Sequence, residues 1–373
     1  MPEPFKNYFD RQLIANMARH IALHEYMFDA KRFVTLASEG LDDLELKARS
    51  AQITCALTAA LPSDFPRAAY ALVASLRPNP PESFAHWNLT DVGLHGWAVM
   101  PMADYIAEHG QGHLAISLEA LREMTMRFSS EFAIRPFLHE QPDATLAIMR
   151  GWVAHPSHHV RRLVSEGTRP RLPWGMGLPK FVRDPQPILP LLEALMDDRS
   201  EYVRRSVANN LNDIAKDHPR LVIEIAERWF GTSQETDRLV KHACRTMLKR
   251  GDPAALAIFG LGKLPLTNVE LAFAQPHARI GEKFEFTFRA DLARKSRSAL
   301  RIEYAIDFVR PSGRPSRKVF HAASDHYVHT LIECTRTHDF QDRSIRVHHP
   351  GTHTLTVIVN GQPVAERVFE LIR

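Results

Sequence analysis

One motif recurs in this chain and limits its fold more than any other feature. The segments SEFAIRPFL at Ser130, SHHVRRLVSE at Ser157, SEYVRRSVANN at Ser200 and TDRLVKHACR at Thr236 superpose. Their spacing of roughly 27 to 43 residues falls in the range of stacked helix pairs of the HEAT type. A helix pair cannot bury its apolar stripe alone, so such pairs stack, with their second helices lining one face. Helical spacing of apolar residues continues to about Leu266, as in Leu118, Leu121 and Met124 and again in Ile188, Leu191, Leu192 and Leu195. Short clusters such as HEQPD, AHPS, KDHP and KRGDP separate these runs as turns.

From Val269 the periodicity changes to alternation, in FEFTFRA, LRIEYAIDFV, RKVFHA, RSIRVHH, HTLTVIV and PVAERVFEL, with an Asn360-Gly361 hairpin signal between the last two. About seven short strands in roughly 100 residues suggest an antiparallel β-sandwich of immunoglobulin type. The expected architecture is mainly α, a HEAT-like helical-repeat solenoid followed by a C-terminal immunoglobulin-like β-sandwich. Residues 1–120 would cap the solenoid, 121–266 would carry the repeats and the active site, and 267–373 would form the β module. The first 50 residues are nearly balanced, with seven basic and eight acidic side chains, as suits a cap.

Hydrophobic residues make up 45% of the chain and charged residues 24%, which excludes wholesale disorder and collagen-like or coiled-coil classes. Cys55, Cys244 and Cys334 lie far apart and form no CxxC pair, so neither a disulfide framework nor a zinc knuckle is suggested. The N-terminal segment MPEPFKNYFDRQ has no basic stretch leading into an apolar core, and no run of about 18 apolar residues occurs. A cytoplasmic protein without membrane contact, and monomeric, is expected.

The net charge is only +4, but its distribution is uneven. Between Arg150 and Arg183 stand seven basic residues, including Arg161, Arg162, Arg169 and Arg171, against the single acid Glu166. In the superposed motifs one position holds Arg135, Arg162, Arg205 and Lys241, and one helical turn on stand Glu166, Asn209 and Arg245. Any one such cation is ordinarily a solvated side chain, whereas a row at repeat spacing suits a phosphate backbone. The β module adds Arg294, Lys295 and Arg297 in a basic segment that is either a solvated loop or a second DNA-gripping surface.

Glu166 interrupts the cation row. Two roles are open to it: an ion pair with Arg162 or Arg169, or a reaction that needs a fixed negative charge. Hydrolysis of a nucleotide's N-glycosidic bond is such a reaction, because the sugar develops oxocarbenium character as the base departs. A carboxylate stabilises that cation and can activate water. Glu131, expected to open the helix EFAIRPFL, either shares the task or serves the helix dipole. Trp174, set among Pro and Gly in RPRLPWGMG, either stacks on a sugar or base or plugs its own loop. Asp213 is a weaker third acid. The run HPSHH lacks a fourth ligand for zinc. Glycine-rich phosphate loops and the zinc-deaminase pattern are absent.

At SSEFAIRPFL, HPSHHVRRLVSEGTRPRLPW and SEYVRRSVANNLNDIAKDHP the chain resembles the DNA alkylation repair glycosylases of the AlkC type, in the superfamily that also contains AlkD. The resemblance covers essentially the whole chain, and a β module after the repeats agrees with the AlkC subgroup. It implies excision of cationic N3-alkylated purines, chiefly 3-methyladenine, from double-stranded DNA, with no metal or organic cofactor and without a closed pocket for the base. By position it makes Glu131 and Glu166 the candidate catalytic carboxylates and Trp174 the aromatic beside the lesion. Arg162, Arg169, Arg205 and Asn209 would contact DNA. AlkD-like relatives use an aspartate between tryptophans, and here the acids are glutamates. The alternative from the residues themselves is a non-catalytic HEAT-repeat scaffold that binds nucleic acid or an acidic protein.

Overall fold

The computed structural model describes residues 3–78, 92–293, 299–311, 313–325, 330–343 and 347–373. By contacts the chain divides between Asp217 and His218 into two compact units. The first contains α1 (Arg11–Ala22), α2 (Ala30–Ser38), α3 (Leu46–Ala60), α4 (Phe65–Ala74), α5 (Val99–His109), α6 (Leu114–Thr125), α7 (Arg135–Glu140), α8 (Pro142–Arg150), α9 (His158–Gly167), α10 (Pro179–Arg183), α11 (Leu189–Leu195) and α12 (Glu201–Ile214). Capping residues mark several starts. The side chains of Asp10, Asp29, Asp64 and Ser157 each accept a hydrogen bond from a backbone N–H of the first turn, which satisfies a donor that the helix itself cannot.

The repeat motifs supply the apolar seams. Val160, Leu163 and Val164 of α9 are fully buried, as are Val203 and Val207 of α12, and the two helices pack together. Small polar residues let them approach. Ser165 Oγ donates to Ser206 Oγ at 2.7 Å, and Asn210 Nδ2 donates to the Ser165 carbonyl at 2.8 Å and to Thr168 Oγ1 at 3.1 Å. Buried polar groups are tolerated only when bonded in this way. The C-terminal residue of α9 is Gly167, and a Cβ there would come within 2.7 Å of Ile134 Cγ2, so the turn before α7 fits only against glycine.

The second unit begins with α13 (Pro219–Trp229), α14 (Gln234–Ala243), α15 (Arg245–Lys249) and α16 (Pro253–Ile258) and continues into eight strands among the described residues. These are β1 (Leu266–Phe273), β2 (His277–Arg279), β3 (Lys283–Leu292), β4 (Leu300–Phe308), β5 (Ser316–Asp325), β6 (Leu331–Asp339), β7 (Gly351–Val359) and β8 (Gln362–Ile372). One sheet has the order β1-β3-β6 and the other β2-β8-β7-β4-β5. Alternation on β3 turns Phe284, Phe286 and Phe288 into the core, where Phe340, Phe369 and Tyr304 meet them. This is the sandwich that the alternation predicts. The segment RSIRVHH differs: residues 344–346 lie outside the described residues, and Val347, His348 and His349 belong to no strand. The missing pairing comes instead from β1, β2 and β6, whose alternation is weaker. Asn360 and Gly361 turn the β7–β8 hairpin with φ of 45° and 75°, the left-handed pair that a two-residue turn of this kind requires.

Among the described residues no helix is long and apolar enough to cross a membrane. One buried acid in the first unit sets a pH dependence. Burial pushes the carboxyl of Asp104 in α5 up from 3.8 to about 6; the hydrogen bond from Ser50 Oγ at 3.1 Å and the charge of Lys47 oppose this only in part, and Glu108 adds to it. A carboxyl raised on folding favours the fold below its ordinary value and loses that contribution as pH rises through about 6. Asp104→Asn should therefore stabilise the protein at pH 8, by as much as about 3 kcal/mol, with the gain shrinking as pH falls toward 4. Thermal melts at the two pH values test this, and an equal gain at both would contradict it.

Candidate active site

Glu131 and Glu166 come from different elements and meet at one arginine. Glu131 lies in the turn before α7, not inside a helix, because α7 starts only at Arg135. Glu166 is in the last turn of α9. Arg162, one turn earlier on α9, reaches both. Its Nη1 and Nη2 donate to Glu131 Oε2 and Oε1 at 3.3 and 3.4 Å, its Nη1 also donates to Ser129 Oγ at 3.1 Å, and its Nη2 lies 3.8 Å from Glu166 Oε1. The guanidinium lies over the ring of Tyr202, 4.8 Å from its centroid, a favourable cation–π arrangement. Burial works against the charge of Arg162, but the pull of Glu131 and then Glu166 outweighs it and raises its pKa.

The two carboxylates are held differently. Glu166 Oε1 accepts from Arg169 Nη1 at 2.6 Å, and Oε2 accepts from Ser206 Oγ at 2.7 Å. Arg169 continues the chain of charges, donating from Nε to Asp213 Oδ2 at 2.8 Å, and Lys216 Nζ donates to Asp213 Oδ1 at 2.9 Å. The ion-pair role foreseen for Glu166 is thus occupied, and Asp213 is a structural partner of Arg169. Among the described residues Glu131 bonds Arg162 alone, at long distance, and it keeps 14% of its side-chain surface.

The cation row is corrected by this geometry. Arg135 is fully buried. Its Nη1 donates to the Gly167 carbonyl at 2.8 Å and its Nε to the Met176 carbonyl. Burial, reinforced by Arg169, lowers its pKa to about 10. The motif position is shared with Arg162, but in SEFAIRPFL the helix begins later, so the same residue points inward. Arg161 is also buried, spanning Asp198 with bonds of 2.6 and 2.9 Å and donating to the carbonyls of His155 and Pro156. Arg169 is buried between its two acids. None of these three presents a free charge for DNA. Arg171 is exposed but pairs with Asp217 at 2.9 and 3.0 Å. Arg205 is exposed and Asn209 half-buried on α12. Lys241 and Arg245 belong to the second unit, Lys241 exposed and Arg245 half-buried with Nη1 donating to the His242 carbonyl. Arg294, Lys295 and Arg297 lie outside the described residues. Elsewhere in the β module Arg289 pairs with Glu333 and Arg317 with Asp307.

Trp174 stands out of the surface, 72% exposed, with φ at 65°. A non-glycine residue in this region costs about 1 kcal/mol or more and persists only where the surroundings impose it. One restraint is Lys47 of α3, whose Nζ donates to the Trp174 carbonyl at 2.6 Å. Another is Gly175, where a Cβ would meet Leu172, Phe132 and Arg135 at 3.1 to 3.4 Å. The loop is therefore seated on the residue that follows Glu131. Trp152, by contrast, is buried. Of the HPSHH histidines, His159 is pushed down to about 4 by burial, with His158 and Arg162 adding to the effect, so it is neutral at pH 7. Among the described residues no cluster of His, Cys, Asp and Glu could hold a metal ion.

Comparison with known proteins bears on the family. The chain is 40% identical to a protein of Bacillus subtilis (strain 168), described as "Uncharacterized protein YhaZ", over 96% of each chain. It also superposes with a TM-score of 0.88 on the structure described as "Pseudomonas fluorescens alkylpurine DNA glycosylase AlkC bound to DNA containing an abasic site analog", with 32% identity over 99% of each chain. The chain belongs to the AlkC family. The fold is shared with that AlkC structure, and residues 267–373 match the family described as "Uncharacterised protein YhaZ, C-terminal Ig-like domain".

In this AlkC-family chain the residues that sequence reasoning missed are Tyr202, Ser206 and Lys47. Lys47 is separated from Trp174 by 127 residues and belongs to residues 1–120, the expected cap. Lys47→Met should loosen the Trp174 loop while costing no more than about 1 kcal/mol of stability. The readout is fluorescence anisotropy of Trp174, taken as the difference between each protein and its Trp174→Phe counterpart. Unchanged anisotropy would show that the lysine does not hold the loop.

Proposed function

We propose that this chain is a monofunctional DNA glycosylase that removes cationic N3-alkylated purines, chiefly 3-methyladenine, from double-stranded DNA in base excision repair. The observation that carries the reading is the pair Glu131 and Glu166 on either side of Arg162, with the exposed Trp174 loop seated next to Glu131. The similarity to an alkylpurine DNA glycosylase bound to DNA supports it.

In the proposed reaction the bond between deoxyribose C1′ and purine N9 breaks, and its electron pair leaves with the base. An alkylated purine is already cationic, so it departs neutral and needs no acid. The positive charge passes to the sugar, where fixed carboxylates lower the barrier. Water then adds to C1′ and gives up a proton to a carboxylate, leaving an abasic sugar. Glu166, anchored by Arg169 and Ser206, is the fixed charge. Glu131, with its longer bonds, is the acid freer to turn toward the water. Trp174 is positioned to stack beside the lesion, without a closed pocket for the base. Arg162, Arg205 and Asn209 of the first unit contact DNA, as does Arg245 of the second. Residues 121–266 carry the repeats that hold DNA, 1–120 cap them, and 267–373 give a second grip. The protein works in the cytoplasm as a monomer.

Glu131→Gln and Glu166→Gln should each lower single-turnover release of 3-methyladenine from methylated duplex DNA by about 10²-fold or more, while changing the Kd for that duplex by no more than about threefold. Full release in both single variants and in the double variant would sink the assignment. No release by the parent protein would favour the scaffold reading.

A further inference from the structure

The second unit contains a cavity of about 430 Å³ that the glycosylase reading does not use. Its lining includes the apolar Phe230, Phe259 and Leu300, the two phenylalanines packed edge to face at 5.2 Å. The lining also carries Arg238, Lys241 and Arg301. Arg301 is 7% exposed, and Glu303 occupies its Nη2, but its Nε meets no hydrogen-bond partner among the described residues. Lys241 meets no carboxylate among the described residues at ion-pair distance, and burial followed by the charge of Arg301 lowers its pKa. Two cations are thus held near each other beside an empty volume, with Asp237 the acid on the lining. With Glu303 on Arg301 and Asp237 on the lining, one positive charge of Arg238, Lys241 and Arg301 is left over at the cavity, and it attracts an anion.

The wall is also built rigidly. Asn360 Oδ1 accepts from the Arg301 backbone N–H at 2.8 Å, and Asn360 Nδ2 donates to the carbonyls of Ala299 and Gly262 at 2.9 and 2.8 Å. The hairpin tip then closes on the α15–α16 turn and on α16 so tightly that a Cβ on Gly361 would lie 2.9 Å from Gly251 Cα and 2.6 Å from Leu256 Cδ1.

We propose that this cavity binds a mononucleotide-sized organic phosphate, its ring against Phe230, Phe259 and Leu300 and its phosphate on Arg238, Lys241 and Arg301. The apolar wall decides for a free nucleotide over the DNA backbone, since the rings of a duplex are stacked on one another and cannot enter with their phosphate. The test is calorimetric titration of the full-length protein with AMP and, separately, with inorganic phosphate. AMP should bind, inorganic phosphate should bind at least about tenfold more weakly, and the double variant R238Q/K241Q should weaken AMP by about tenfold or more. Both substituted side chains are exposed, so the fold survives, which circular dichroism checks. Any one of four results overturns the proposal: no AMP binding, equal affinity for phosphate, unchanged affinity in the double variant, or displacement of AMP by undamaged duplex. The titration reads binding alone and stands or falls independently of base release.

Discussion

The contact between Arg162 and two glutamates is the constraint from which the rest of the site follows. Two carboxylates brought to one poorly solvated place from a turn and a helix repel each other, and a cation between them offsets that repulsion. Arg162 supplies it, with Tyr202 beneath its guanidinium and Ser129 on one side. The same logic extends outward through Arg169 and Asp213 and, separately, through Arg161 and Asp198. Buried ion pairs of this kind contribute little net stability, because desolvation consumes most of the attraction. What they provide is a geometry that cannot relax, and a charge fixed before the reaction is what electrostatic stabilisation of a transition state requires.

The seam between α9 and α12 does the positioning. Beside its buried valines and leucine it carries serines and an asparagine, through which the helices are bonded to each other and Ser206 reaches across to Glu166. The carboxylate is therefore held from its own helix by Arg169 and from the neighbouring helix by Ser206. A change in the spacing of those helices would be felt at Glu166 directly.

The helical body, the β-sandwich and the Asn360-Gly361 hairpin were legible in the sequence because periodicity and turn chemistry are local. Val160, Leu163 and Val164 announce the buried stripe of α9 by spacing alone. The cation row was not legible to the same degree. Arg161 and Arg162 are adjacent and chemically identical, yet one is sealed against Asp198 and the other bridges the glutamates. Arg135 shares the motif position of Arg162 but turns inward because its helix begins at that residue. Partners such as Asp198 for Arg161, or Lys47 for Trp174, lie 37 and 127 residues away, and no local pattern signals them.

This sorting of arginines gives ionic strength two separate targets. Cations enclosed with their counter-charges, such as Arg161 and Arg169, lie where mobile ions do not penetrate, whereas Arg205 stands in solvent within reach of screening. Salt therefore acts on the outward electrostatics of the repeats and leaves the inner lattice as it was. The scaffold keeps the geometry of its acids as ionic strength changes, and the long-range attraction of its surface is what salt can alter.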